Sequence, residues 1–117
     1  MAKHVWLVFT NATPGDDAEF NRWYDEIHVP DLLKVPGVVS ATRAEITEVQ
    51  MDRVGDDLLI STAAGIGAKF KYLARYYLDI DSVDDFLKEI QRRANTPDMV
   101  ISATLGDVYT LMVRDNG

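Results

Sequence analysis

Histidine occurs twice in this sequence, at His4 and His28, and the second keeps the company that acid–base chemistry needs. His28 closes the stretch EFNRWYDEIHVP, where helical spacing places Tyr24 one turn earlier and Asp25 three residues earlier. An unperturbed imidazole titrates near neutrality, so modest burial makes it a serviceable general acid or base. Asp25 is placed to orient the ring and fix its tautomer. The Tyr24 hydroxyl is a donor for developing oxyanion charge. The same position also suits a histidine that only answers the dipole at a helix C-terminus. Both readings stand at the level of sequence.

Phe20 and Trp23 supply apolar walls on the same helical face. Tyr72 and Tyr76 share a strand face with Phe70 and Leu78, so if that face meets the helices their hydroxyls need partners indoors. Those partners are backbone groups or a bound aromatic ligand. His4, near the start, reads as an edge-strand residue. Two histidines and no cysteine leave no visible ligand set for a metal, and none is expected. GIGAKF has two glycines but lacks the rest of a dinucleotide or phosphate-binding fingerprint, so no cofactor is expected either.

The elements that must hold these residues follow from period and punctuation. His4–Thr10 reads as a strand, and NATPGDD after it as a loop. From Asp16 or Asp17 a helix begins, with Phe20, Trp23, Tyr24, Ile27 and His28 on one face. Pro30 is expected to end it near Ile27–Val29. Pro36-Gly37 opens a second strand in which Val38, Ser40, Thr42, Ala44 and Ile46 face one way, and Val39, Ala41, Arg43 and Glu45 the other. Phe70–Ile80 is the third strand. Ser82 and Asp85 form an acidic capping box for a helix that buries Val83, Phe86, Leu87 and Ile90, and Asn95-Thr96-Pro97 stops it. ATLGDVYTLMV is the last strand, with Gly106 at a bulge or a close approach.

The order β-α-β-β-α-β is the ferredoxin-like plan, an α+β class with a four-stranded antiparallel sheet and two helices on one face. The other face stays bare, and strand register decides whether it carries Arg43, Glu45, Lys71, Arg75 and Tyr77 or the alternate set. Such a face invites a symmetric partner, and a homodimer is expected. The stretch between Glu48 and Lys69 is long for a connection and reads as a lid hinged at Gly65 and Gly67, or as a dimer contact.

Composition narrows the partners. The chain has 117 residues, 47% hydrophobic and 26% charged, which suits one domain over residues 1–117. A net charge of −7 with no basic cluster beyond Arg92-Arg93 argues against nucleic acid. No apolar run reaches membrane-span length, and the N-terminus lacks the apolar core of a signal peptide. A cytoplasmic location is expected.

FNRWYDEIHVPDLLKVPGV resembles the EthD-like branch of the dimeric α+β barrel proteins. There an aromatic-rich first helix carries a W-Y-x-x-x-H-x-P signature, followed by a P-G turn into a strand. Trp23, Tyr24, His28, Pro30, Pro36 and Gly37 occupy those positions. The resemblance implies a small homodimer that closes into an α+β barrel and holds aromatic or polyketide-like molecules. Relatives of this kind include cofactor-independent monooxygenases, cyclases, isomerases, decarboxylases and dehydratases, haem-handling members and accessory proteins. Three functions remain in view. One is a cofactor-free isomerase, lyase or cyclase acting on a cyclic aromatic, lactone or polyketide-like substrate. Another is a non-catalytic ligand-binding or stress-associated homodimer. The last is a monooxygenase, cofactor-free or haem-dependent.

Overall fold

A computed structural model describes residues 3–62 and 69–116. Its main sheet has four strands, β1 (His4–Ala12), β2 (Val38–Glu45), β5 (Tyr72–Leu78) and β6 (Leu105–Arg114), in the order β2-β5-β1-β6 with antiparallel neighbours throughout. Between β2 and β5 the chain makes a separate two-stranded hairpin, β3 (Gln50–Val54) and β4 (Asp57–Ser61), turned at Gly55 with φ +62°. The stretch expected as a lid is therefore largely a hairpin, with Met51, Leu58 and Ile60 exposed on its strands. The expected hinge glycines, Gly65 and Gly67, lie outside the described residues.

Strict alternation on β1 and β5 sorts the faces. Trp6, Val8 and Thr10 on β1, and Tyr72, Ala74, Tyr76 and Leu78 on β5, are buried under the helices. The first helix brings Phe20 to 5.2 Å from the Tyr72 ring. α3 (Val83–Arg93) sets Phe86 edge-on against Trp6 at 5.6 Å. Both helices thus cover one face. The opposite face carries Leu73, Arg75 and Tyr77 of β5 beside Val5, Leu7 and Phe9, with Tyr109, Leu111 and Val113 partly exposed on β6. Because β1 lies between β5 and β6, His4 belongs to a central strand and not an edge.

The first helix does not end at Pro30. α1 (Asp17–Trp23) passes into a π-helical turn, Tyr24–His28, and then into α2 (Val29–Leu33), which holds Pro30 in its first turn. The Val29 N–H reaches the Tyr24 carbonyl, five residues back. A proline inside an α-helix strikes the carbonyl four residues before it and leaves that acceptor unpaired. The extra residue of a π-turn displaces that carbonyl, so the chain absorbs Pro30 and carries on.

A second departure comes from β2. Its register slips between Val38 and Ser40, where two residues oppose one of β5. After that bulge Ala41, Arg43 and Glu45 lie opposite the helix-facing Tyr76, Ala74 and Tyr72, while Ser40, Thr42 and Ala44 lie opposite residues of the open face. Val38 consequently shares its face with Ala41 and Arg43, not with Ser40. Arg43 faces the helices. Lys71 also turns toward α1, where its ammonium pairs with Asp17 at 3.2 Å.

Other expectations stand with small changes. Ser82 caps α3 by accepting from the Asp85 N–H at 3.1 Å. α3 buries Phe86 and leaves Leu87 exposed. Gly106 is a close approach: a β-carbon there would sit 2.9 Å from the Asn11 carbonyl oxygen, beside the irregularity in β1–β6 pairing. Among the described residues, no helix is long and apolar enough to cross a membrane.

Candidate active site

Sheet and helices enclose a cavity of about 220 Å³. Its floor is Trp6, Val8 and Thr10 of β1 with Tyr76 of β5 and Val108 and Thr110 of β6. The first helix supplies Tyr24, His28 and Leu32 as one wall, and Ile90 and Ala94 form the other. The segment after α3 roofs it with Met99, Ile101 and Leu105. Nearly all of this lining is carbon. The residues with polar groups that interrupt it are Tyr24, Tyr76, Thr10, Thr110 and His28.

The π-turn sets the relation between the two helix residues. His28 lies edge-on to Tyr24, with ring centroids 4.9 Å apart at 82°. Its other side stacks on Trp23 at 4.6 Å and 25°. Trp23 is anchored in turn, since its indole N–H donates to the Val100 carbonyl at 3.1 Å. Two aromatic neighbours thereby hold the imidazole. Its Nδ1 is buried and, among the described residues, has no hydrogen-bond partner. Burial, with a smaller push from the Arg43 charge, lowers the His28 pKa from 6.5 to about 4, so the ring is neutral at physiological pH.

The hydroxyls of Tyr24 and Tyr76 meet inside the cavity at 3.4 Å, with Tyr76 donating and Tyr24 accepting. That direction leaves the Tyr24 hydroxyl proton free to donate. Burial raises both phenol pKa values, so both stay protonated and act as donors. Tyr72, though on the same strand face as Tyr76, is engaged elsewhere. Its hydroxyl donates to Asp17 Oδ2 at 2.5 Å and accepts from the Asn21 amide at 3.3 Å.

Sequence reasoning placed seven residues at the site. The structure brings His28, Tyr24 and Tyr76 together in the cavity wall. Trp23 stands behind His28 as its stacking support. Phe20 packs behind Tyr24 at 5.4 Å, and Tyr72 lies beyond Phe20, so both back the wall and do not line it. Asp25 faces solvent, 62% exposed, and pairs with Arg43 at 2.9 Å in place of the imidazole. A helix residue three before His28 would meet it only in a regular α-turn, and the π-turn rotates the two apart.

One lining residue gave a signal that period could have caught. Thr10 is a fully buried polar residue on the helix-facing side of β1, 2% exposed. Met99 and Ile101 are apolar residues in what otherwise reads as a polar connection, and Leu105 falls in the expected last strand. Among the described residues, no three His, Asp or Glu side chains converge as metal ligands do.

Comparison with solved structures places this architecture. The crystal structure of an ethyl tert-butyl ether D (EthD) family protein from Bacillus halodurans C-125 superposes with a TM-score of 0.52, over 96% of this chain and 98% of that one, at 17% identity. The fold is EthD-like. No protein-family model and no curated protein sequence matches the chain. At this identity the likeness to the EthD family protein extends to the backbone plan alone, and the chemistry of the cavity rests on this chain's own side chains.

Proposed function

We propose that this protein is a small cofactor-independent enzyme that moves a proton on a neutral, ring-bearing substrate, as an isomerase, lyase or cyclase does. The observation that carries this reading is a neutral, aromatic-clamped imidazole facing an apolar cavity next to a tyrosine hydroxyl free to donate. His28 accepts a proton from carbon next to a carbonyl. The electron pair of that C–H bond moves onto the carbonyl oxygen, where the Tyr24 hydroxyl donates to the developing negative charge. The imidazolium then returns the proton at another position or to a leaving group.

Magnitudes restrict the substrate. Each pKa unit separating base from carbon acid costs about 1.4 kcal/mol, so a base as weak as His28 handles only acidic protons, such as those of enolisable ring ketones. A cavity of about 220 Å³ takes one ring or two fused rings, since an apolar void near ~150 Å³ is known to hold benzene. An acidic chain and an apolar lining both disfavour anions. The α-proton exchange of 2-tetralone in deuterated water, with wild type and His28→Gln, tests the reading directly.

One observation favours a second reading. Nδ1 of His28 has no carboxylate to hold it, unlike the base of most catalytic groupings. A non-catalytic ligand-binding module would be built this way, and it binds 2-tetralone with no exchange. Either activity suits a homodimer. The open sheet face, with Leu7, Leu111, Val113 and Tyr109, is the apolar surface a second copy would cover. Sedimentation of wild type and Leu111→Lys, the variant sedimenting as a monomer, tests that association.

A further inference from the structure

Arg43 lies outside the cavity, yet its guanidinium rests 4.3 Å over the centre of the Tyr24 ring, whose hydroxyl is in the cavity wall. The β2 bulge turns it there. Two side chains of the first helix hold the planar group in place: Nη1 donates to Asp25 at 2.9 Å and Nη2 to Asn21 at 3.0 Å. The rings of Phe20 and Tyr72 flank it at 5.7 and 5.6 Å. We propose that Arg43 is a positioning residue for the cavity, pressing Tyr24 against His28 from behind and polarising its hydroxyl. This rests on the reading of the cavity as a proton-transfer site.

A filler of the core does not need this chemistry. Only 16% of the Arg43 side chain is exposed, and its Nε is buried without a partner among the described residues. Burying a cation with one donor unsatisfied costs stability, and a pair with a solvent-facing carboxylate returns little. A methionine or leucine of similar volume would pack there more cheaply. What the charge adds falls on three cavity groups, the Tyr24 and Tyr76 phenols and the His28 imidazole. It opposes the upward push of burial on the Tyr24 phenol, making it a stronger donor, and it adds to the downward push of burial on His28. Among the described residues that line the cavity, none carries a charged side chain beside His28. Tyr76 comes from β5, Tyr24 from its own helix, and α3 and the roof contribute carbon.

The test uses the whole protein and reads the His28 titration by NMR, with His28→Gln to assign the signal. Arg43→Met keeps bulk and removes charge, and the His28 midpoint should rise by about one unit. Arg43→Lys keeps charge and loses the fork, so the midpoint should stay near that of wild type. Asp25→Asn leaves the cation unneutralised, and the midpoint should fall further. In 2-tetralone exchange, Arg43→Met should leave KM unchanged, because Arg43 does not touch the substrate. An unmoved midpoint in folded Arg43→Met and in Asp25→Asn overturns the inference even if wild type catalyses exchange. If Arg43→Met does not fold, Asp25→Asn carries the same decision. A moved midpoint in a protein that exchanges no 2-tetralone supports the link between Arg43 and His28 and overturns the catalytic reading alone.

Discussion

The imidazole of His28 stacks on the indole of Trp23 at 4.6 Å, and Trp23 is tied by its N–H to the Val100 carbonyl in the segment after α3. A ring held this way is oriented by its aromatic neighbours. Trp23→Phe keeps an aromatic surface but leaves the Val100 carbonyl unpaired. It should cost about 1–3 kcal/mol in urea unfolding. It should also broaden the His28 ring resonances, because the stack loses its anchor.

Burial of His28 has a consequence for acid stability. Its pKa is about 4 in the folded chain and 6.5 in the unfolded one, so between those values the unfolded state binds more protons. Stability from this group is complete above pH 6.5 and is lost as pH falls to about 4, a change of roughly 3 kcal/mol. Urea midpoints across this range should fall more steeply for wild type than for His28→Gln. Glu89 adds an acid-sensitive contribution at lower pH. Its carboxylate, bonded to Arg92 and Arg93, is lowered from 4.5 to about 2, so its contribution is lost only as pH falls through that lower window.

Gly37 adopts φ +96°, a conformation side chains rarely take, and a β-carbon there would run into the Ile80 side chain. It sits where the chain turns from α2 into β2, just ahead of the bulge that aims Arg43. Gly37→Ala should destabilise the fold by about 2 kcal/mol or more, read from unfolding curves. Its effect on 2-tetralone exchange should exceed that of a core substitution of equal cost, because the turn sets the β2 register.

The tyrosine pair separates donor from support. Tyr24→Phe removes the free hydroxyl proton and should slow exchange by about a hundredfold while the protein still binds 2-tetralone. Tyr76→Phe removes only a long 3.4 Å contact to Tyr24 and should change stability by less than about 1 kcal/mol. Steady-state exchange rates and thermal unfolding of the two variants check this difference.

Much of the fold was legible because its signals are local. The alternation of β1 and β5, the Ser82 cap and the crowded Gly106 each follow from a few adjacent residues. His28, Tyr24 and Tyr76 were legible as a group because helix and strand periods put them on covered faces. The failures share a cause, a single extra residue. The π-turn carries the helix past Pro30 and swings Asp25 away from His28, and the β2 bulge turns Arg43 inward. Neither insertion leaves a mark in composition or period. The roof residues Met99 and Ile101 were missed because their burial depends on a fold-back, marked by the left-handed Asn95, that only the packed chain shows.

Deuterium incorporation into 2-tetralone, followed by NMR at neutral pH with wild type and His28→Gln side by side, bears most directly on His28 as the base. Wild type should exchange the α-protons at least about a hundredfold faster than the variant, with both proteins folded and both binding the ketone. Equal rates in two folded, ligand-binding proteins would contradict a catalytic His28 and leave the cavity a binding site.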